Sequence, residues 1–244
     1  MKTLLMSYHF RYPCALLSLF VICSFAVADY IEVSGSGDSY ILEAGQLDIL
    51  YGDDHQFSMS ELDILAATLQ NDGVDTASRI TFLLTETNAG LSFVGLFDGV
   101  PFNDPSGSIS DHFLGLSSTT TTGSDWYATG DNGTQTDWYD LGNNTQLINS
   151  LFAWDHGQTS AAFAWANVEE SQNATVNLYD VDLTTFGAEP IQFVTYADDG
   201  WEVAGTGAFS VMGQYAFSYQ FIPAPGALAL LTLAGLTSCK RRRR

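Results

Sequence analysis

The stretch RITFLLTETNAGLSFVGLF, residues 79–97, decides the fold. Two β-prone apolar runs, residues 79–85 and 91–97, flank the turn-forming triplet Asn88-Ala89-Gly90. Glycine adopts the left-handed backbone conformation without the steric cost of a Cβ, so Gly90 suits a tight turn. The pattern therefore predicts a β-hairpin.

Similar short β-prone runs, separated by turn residues, lie on both sides of this hairpin. We predict further strands at 40–43, 47–51, 147–154, 160–168, 174–181, 191–196, 201–211 and 215–221. Asp199-Gly200 is typical of a hairpin turn between two of these strands. The segment 98–123, with two prolines and a threonine run at 119–122, is predicted to be rich in turns.

One helix is predicted over residues 58–69, with Ser58 or Ser60 as its N-cap. Three leucines fall on one face at helical spacing: Leu62, Leu65 and Leu69. Residues 71–73, NDG, end the helix. Ten or more short strands with a single helix, and no alternating crossover helices, predict a mainly β fold. We expect a single antiparallel β-sandwich or jelly-roll-like domain with one short helix, spanning residues 29–222.

The predicted domain, residues 29–222, which we call the body, is strongly acidic. Residues 29–222 hold all 28 acidic residues of the chain and a single basic residue, Arg79. A surface this negative repels nucleic acid and attracts cations, so nucleic-acid binding is excluded. The three cysteines all lie outside the body, which therefore has no disulfide and no cysteine metal site.

A local aromatic repeat offers a candidate glycan platform. The triplet Asp-Trp-Tyr occurs at 125–127 and again at 137–139, with Asn132-Gly133 between the copies. A two-residue turn at Asn132-Gly133 would pair the two copies in a hairpin and place one aromatic pair on each side of the ribbon. An exposed pair could stack on sugar rings, whereas packing of both pairs under neighbouring loops is the alternative. The platform residues are Trp126, Tyr127, Trp138 and Tyr139.

Acid-rich loops make calcium the candidate cofactor. Carboxylates are the hard oxygen ligands that calcium prefers, although no loop has the EF-hand spacing and a solvated acidic surface explains the same composition. The candidate ligands are Asp53, Asp54, Asp131, Asp180, Asp182, Asp198 and Asp199. Paired carboxylates would also serve a glycoside hydrolase, but acids are too abundant here to single out a pair. The sequence therefore names no catalytic residue.

Both ends of the chain have the composition of targeting segments. Residues 1–28 read as a secretory signal peptide with a basic start, an apolar centre and a small-x-small cleavage site at Ala26 and Ala28. At the other end, residues 223–244 comprise Pro223-Ala224-Pro225, an uncharged apolar stretch and the terminal run KRRRR. An apolar helix followed by basic residues predicts a membrane helix with its basic end in the cytoplasm.

This three-part tail resembles the PEP-CTERM sorting signal of exported bacterial proteins. The family has Pro-Glu-Pro where this chain has Pro-Ala-Pro, and the resemblance covers only the tail, including Arg241, Arg242, Arg243 and Arg244. It implies sorting by an exosortase, usually in species that make an exopolysaccharide matrix. An ordinary C-terminal membrane anchor is the alternative.

These observations predict the destination of the protein more directly than its activity. We expect an exported protein, held in the membrane by its C-terminal helix in transit and then located at the cell surface or outside the cell. Its partners would be the export machinery, an exosortase-type enzyme and polysaccharide, and its role structural or adhesive. The alternative is a secreted hydrolase that acts on glycans through paired carboxylates.

Overall fold

The computed structural model describes residues 30–35, 37–47, 49–52, 56, 58–98, 112–121, 123–130, 135–154, 161–168, 173–179 and 188–222. Within these ranges the chain forms fourteen β-strands and one α-helix. The elements are β1 (Tyr30–Gly35), β2 (Asp38–Glu43), β3 (Gly45–Gln46), α1 (Met59–Asn71), β4 (Arg79–Thr87), β5 (Gly90–Asp98), β6 (His112–Thr121), β7 (Asp125–Gly130), β8 (Gln135–Gly142), β9 (Thr145–Trp154), β10 (Ala161–Ala166), β11 (Asn173–Tyr179), β12 (Ile191–Ala197), β13 (Gly200–Gly207) and β14 (Tyr215–Ile222).

The strands form two sheets, which confirms the mainly β prediction. The first sheet has the order β2-β1-β14-β11-β6-β9-β8, and all its neighbours pair antiparallel. The second has the order β13-β12-β4-β5-β10-β7, and β3 also pairs with β4. Here the prediction of antiparallel pairing is wrong at two places, because β4 pairs parallel with both β12 and β3.

The hairpin predicted from residues 79–97 is confirmed and forms the centre of the second sheet. Strands β4 and β5 pair along their whole length, from Arg79 opposite Asp98 to Thr87 opposite Gly90. Gly90 has a φ of 85°, the left-handed conformation that a tight turn requires. Both strands are buried on both faces, so apolar side chains occupy adjacent positions, such as Phe82, Leu83 and Leu84, instead of alternating with polar ones.

One face of each sheet contributes to a shared aromatic core. Phe82 on β4 meets Phe217 on β14 edge-to-face, with ring centroids 4.8 Å apart. On the neighbouring strand, the Phe93 ring lies 4.5 Å from that of Tyr219. All four side chains are at most 4 % exposed. Burial of rings this large, in contact across the two sheets, is the main force that holds the sheets together.

Helix α1 covers the other face of the second sheet, and its prediction is confirmed. The three predicted leucines are almost completely buried, in a cluster with Leu83, Val94 and Val194 of the sheet. Ser58 is the N-cap, and its backbone N–H donates to Glu61 Oε2 at 2.8 Å. Glu61 Oε1 also accepts from the Leu50 N–H at 2.7 Å, so one carboxylate fixes both the helix start and the preceding loop.

Several strand predictions need correction. Of the predicted strand 47–51, the described residues 47 and 49–51 form no strand, since β3 ends at Gln46 and the apolar side chains that follow pack beneath α1. The segment 98–123 contains a ten-residue strand, β6, because the β-branched threonines that suggested a loop extend readily in a sheet. The predicted strand 201–211 ends at Gly207. The second hairpin is confirmed, but Asp198 and Asp199, not Asp199-Gly200, are its turn residues.

The predicted hairpin between the two Asp-Trp-Tyr triplets is wrong. Strand β7 carries the first triplet and pairs with β10 in the second sheet. Strand β8 carries the other triplet and pairs with β9 in the first sheet. Instead of pairing with each other, β7 pairs with the distant strand β10, and β8 forms a hairpin with β9, the next strand in the chain.

Other sequence predictions fall outside the described residues. These are the leader 1–28 with Ala26 and Ala28, the tail 223–244, and five of the candidate calcium ligands: Asp53, Asp54, Asp131, Asp180 and Asp182. Among the residues that are described, no helix combines the length and the apolar character needed to cross a membrane.

Candidate functional site

The first sheet has a solvent-facing side whose four central strands carry no charged residue. Strands β14, β11, β6 and β9 have 8, 7, 10 and 10 residues and contain no Asp, Glu, Lys or Arg. The chain as a whole has 28 acidic residues in 244, so a segment of this total length would be expected to carry several. We call the solvent side of these four strands the uncharged face.

The composition of the uncharged face follows from the alternation of side chains along each strand between the core and the solvent. In β11, for example, Ala174, Val176 and Leu178 are buried between the sheets, whereas the residues between them point to solvent. The outward side chains of the central strands are mostly hydroxyls and amides. They include Ser218, Gln220, Asn173, Thr175, Asn177, Ser117, Thr119, Thr121, Thr145 and Asn149.

Hydroxyl groups on neighbouring strands meet in a row across this face. Ser34 on β1 lies opposite Ser218 on β14, and their Oγ atoms are 3.2 Å apart. Ser218 is next to Thr175 on β11, which lies opposite Thr119 on β6. The Thr119 and Thr175 hydroxyls are also hydrogen bonded to each other. The row therefore presents hydroxyl groups in pairs that are hydrogen bonded between neighbouring strands.

A groove of about 490 Å³ follows this row toward the end of the sheet where Tyr30 and Ile222 pair. Residues of five strands line it, including Glu32, Ser34, Thr119, Thr121, Thr145, Asn173 and Thr175. The Oγ1 of Thr121 is buried and has no hydrogen-bond partner within the described part of the chain. The groove thus offers hydroxyl and amide groups, with one carboxylate at its margin.

Two tyrosines belong to the same side of the sheet. Tyr179 on β11 lies opposite Gly115 on β6, and its ring occupies the space above that glycine, where a Cβ would come within 2.2 Å of Cε2. Tyr139 on β8 lies opposite Leu147 on β9 and is 46 % exposed. Because paired residues share a face, both rings border the uncharged face.

The fold places the four residues of the predicted glycan platform at different positions, so they do not form one surface. Trp126 packs against the core between the sheets, and Tyr127 stacks on Tyr51 with ring centroids 4.0 Å apart. Trp126 and Tyr127 are therefore packed against other side chains, as the alternative interpretation of the repeat expects. Trp138 and Tyr139 lie on the edge strand β8, 52 % and 46 % exposed. Adjacent residues point to opposite sides of a strand, so they do not form one surface.

Trp138 is held at the open edge between the two sheets. Its Nε1 donates to Gln146 Oε1 at 3.3 Å, and Gln146 Nε2 donates to the backbone carbonyl of Ser124, next to β7. The indole therefore bridges the edge strand of the first sheet toward the second. Tyr139 is the member of the predicted platform that borders the uncharged face.

The described calcium candidates have a structural explanation. Asp198 and Asp199 are the two turn residues of the β12–β13 hairpin, with φ values of 48° and 70°. Aspartate tolerates this left-handed conformation better than most residues, which accounts for the pair without a metal. Within the described ranges, no group of three or more His, Cys, Asp or Glu side chains is placed to hold a metal ion.

Sequence reasoning missed the uncharged face. Its strands β6, β9, β11 and β14 are separated in the chain by other elements, and the turn prediction for 98–123 hid β6. The available signal was the absence of charge from these segments in such an acidic chain. No family model matches the chain, and no curated protein or solved structure is significantly similar to it.

Proposed function

We propose that this is an exported protein of the cell surface or extracellular matrix with a structural or adhesive, non-enzymatic role that includes contact with polysaccharide. Its body is a single domain with a β-sandwich or jelly-roll-like fold. The leader directs export, and the tail serves as a PEP-CTERM-like sorting signal for an exosortase-type enzyme after transient anchoring in the membrane. The motifs at the two ends support this route.

The arrangement of the first and last strands is compatible with processing at both ends. Tyr30, which begins β1, pairs with Ile222, which ends β14. The two flanking segments therefore join the body at neighbouring positions on one edge of the core.

The observation that carries the polysaccharide contact is the uncharged face. Polysaccharides are recognised through hydroxyl groups and the apolar faces of sugar rings, and the face supplies hydroxyls, amides and two bordering tyrosines. The rest of the body is strongly acidic, so the surface that lacks acids is the one suited to a neutral partner.

The experiment is cell fractionation of a strain that produces the full chain with an epitope inserted in the exposed turn at Asn143-Asn144. We expect the protein in the surface and matrix fractions. Deletion of residues 223–244 should remove it from the surface and release it to the medium. Substitution of the terminal arginine run by serines should have a similar effect.

Recovery of the unaltered chain in the cytosol would refute the export proposal. Equal surface retention of the full chain and of the chain without residues 223–244 would refute the sorting role of the tail. Intact mass of the surface form adds an independent readout, because it shows whether each end has been removed.

A further inference from the structure

We infer that the uncharged face is the polysaccharide-binding surface, and that it takes an extended neutral polysaccharide lying between Tyr179 and Tyr139. This inference deepens the proposed function and depends on it. It names a site that the sequence alone did not indicate, and it narrows the ligand to neutral polysaccharides.

The choice of a neutral ligand follows from the distribution of charge. The carboxylates on this side of the sheet belong to the flanking strands: Glu32 on β1, Glu43 on β2 and Asp137 on β8. A polyanion would have to approach this acidic border without any cation on the face to pair with. A polycation would gain little on strands that offer no carboxylate. A neutral polysaccharide is not repelled by the acidic border, and its hydroxyl groups meet hydrogen-bond donors and acceptors on the face.

The position of the ligand follows from the two tyrosines. Three strand spacings and four residues along a strand separate Tyr179 from Tyr139, which amounts to about 19 Å between their positions. That distance accommodates several sugar rings of an extended chain. Between the tyrosines lie Ser117 and Asn149, which are paired with each other, and Asn177 next to Ser117. The track thus has a ring at each end and hydrogen-bonding groups in its centre.

Tyrosine also suits this role energetically. Its ring buries a large apolar area with few rotatable bonds, so little side-chain entropy is lost when a sugar stacks on it. The Tyr179 ring already occupies the space above Gly115, which limits its freedom further. Loss of one stacking ring should therefore weaken binding about five- to ten-fold.

The test is affinity electrophoresis of the exported protein recovered from the cell surface, in native gels containing hydroxyethylcellulose, galactomannan, xyloglucan or dextran. Carboxymethylcellulose serves as the charged counterpart of the first polymer. We expect at least one neutral polymer to retard the protein more than carboxymethylcellulose does. Tyr139→Ala and Tyr179→Ala should each weaken that retardation about five- to ten-fold, whereas Tyr139→Phe should retain most of it.

Two Asn→Asp exchanges test the uncharged character of the face. Asn149→Asp replaces the amide by a carboxylate of almost the same shape opposite Asp137, so the two N–H donors in the centre of the track are lost and binding should weaken. Asn71→Asp makes the same charge change at the end of α1, on the opposite side of the molecule, and should leave retardation unchanged. Thermal melts of all variants identify any that are unfolded, and the exposed Asn177→Asp then replaces an unstable Asn149 variant.

The outcomes separate this inference from the proposal on which it depends. Retardation by none of the four neutral polymers, stronger retardation by carboxymethylcellulose, or equal retardation of folded face variants and wild type would each overturn the inference. If the face variants still remain in the matrix fraction of cells like the wild type, the proposed function stands and this binding surface is wrong. If the wild type is not exported, the proposed function itself fails.

Discussion

Ser118→Ala tests whether a buried hydrogen-bond chain ties the two sheets together. The fully buried Trp165 on β10 donates from Nε1 to Ser118 Oγ at 2.7 Å. Ser118 on β6 donates in turn to the backbone carbonyl of Thr175 at 2.7 Å. The alanine variant loses both bonds and leaves the indole N–H buried without a partner. A stranded buried donor costs about 1–3 kcal/mol, so we expect the free energy of unfolding to fall by about 2 kcal/mol.

The measurement is chemical denaturation followed by far-ultraviolet circular dichroism, since Trp165 is itself a fluorophore. A loss of about 2 kcal/mol corresponds to a melting temperature lower by about 4–8 °C in a domain of this size. Ser34→Ala is the matched control, because it removes a serine hydroxyl from the exposed side of the same sheet. It should change stability by less than about 0.5 kcal/mol.

A double-mutant cycle with Trp165→Phe isolates the hydrogen bond from the packing change. Phenylalanine removes the buried donor, so Ser118→Ala should cost about 1 kcal/mol less in that background. An equal cost in both backgrounds, within about 0.5 kcal/mol, would refute the claim that this bond joins the sheets.

Three further predictions concern the helix start, a tyrosine in the core and a glycine contact. Glu61→Ala removes the acceptor for the Ser58 and Leu50 N–H groups and should lower the free energy of unfolding, measured by denaturation, by about 1–2 kcal/mol. Glu61→Gln keeps an acceptor oxygen and should lower it less. Equal losses of stability in the two variants would contradict an acceptor role. Burial raises the pKa of Tyr51, and burial with nearby Tyr40 and Asp38 raises the pKa of Tyr215. Because the pKa of Tyr51 is near 10 in the unfolded chain and higher in the folded chain, its contribution to stability is complete below pH 10, and stability should fall above it by about 1.4 kcal/mol per pH unit for this tyrosine. Tyr51→Phe should reduce that slope in alkaline denaturation, and an unchanged slope would contradict the buried neutral phenol. Gly205→Ala would place a Cβ 2.1 Å from the Tyr40 ring and should lower the melting temperature through overpacking. The control is Gly200→Ala, whose Cβ would meet no atom closer than 3.7 Å and which should therefore lower the melting temperature less.

The parts of the fold that were predictable depend on neighbours in the chain. The hairpin at 79–97 and helix α1 are set by patterns within about twenty residues: two apolar runs around a glycine turn, and three leucines at helical spacing. The same local reasoning fails for the two Asp-Trp-Tyr triplets. Their segments look like a hairpin, but β7 pairs with β10 and β8 pairs with β9.

The candidate site was less predictable than the fold because its members are distant in sequence. Ser34 and Ser218, whose hydroxyls meet on the face, are 184 residues apart. Tyr179 and Gly115 are likewise brought together only by the pairing of β11 with β6. Of the four aromatics proposed as a platform, Tyr139 alone borders the uncharged face, because the pleat of β8 sends Trp138 to the other side.

The sequence by itself determined that this chain has an acidic, cysteine-free body rich in strands, and it locates one hairpin and one helix. Charge and composition are sums over the residues, and the hairpin and the helix depend on residues close together in the chain, so both can be derived from the sequence without knowledge of distant contacts. Only the tertiary structure decided which strands are neighbours, and hence that four uncharged segments form one continuous surface. The physical reason is that strand pairing and sheet packing maximise burial over the whole molecule, and no single segment specifies its distant partner.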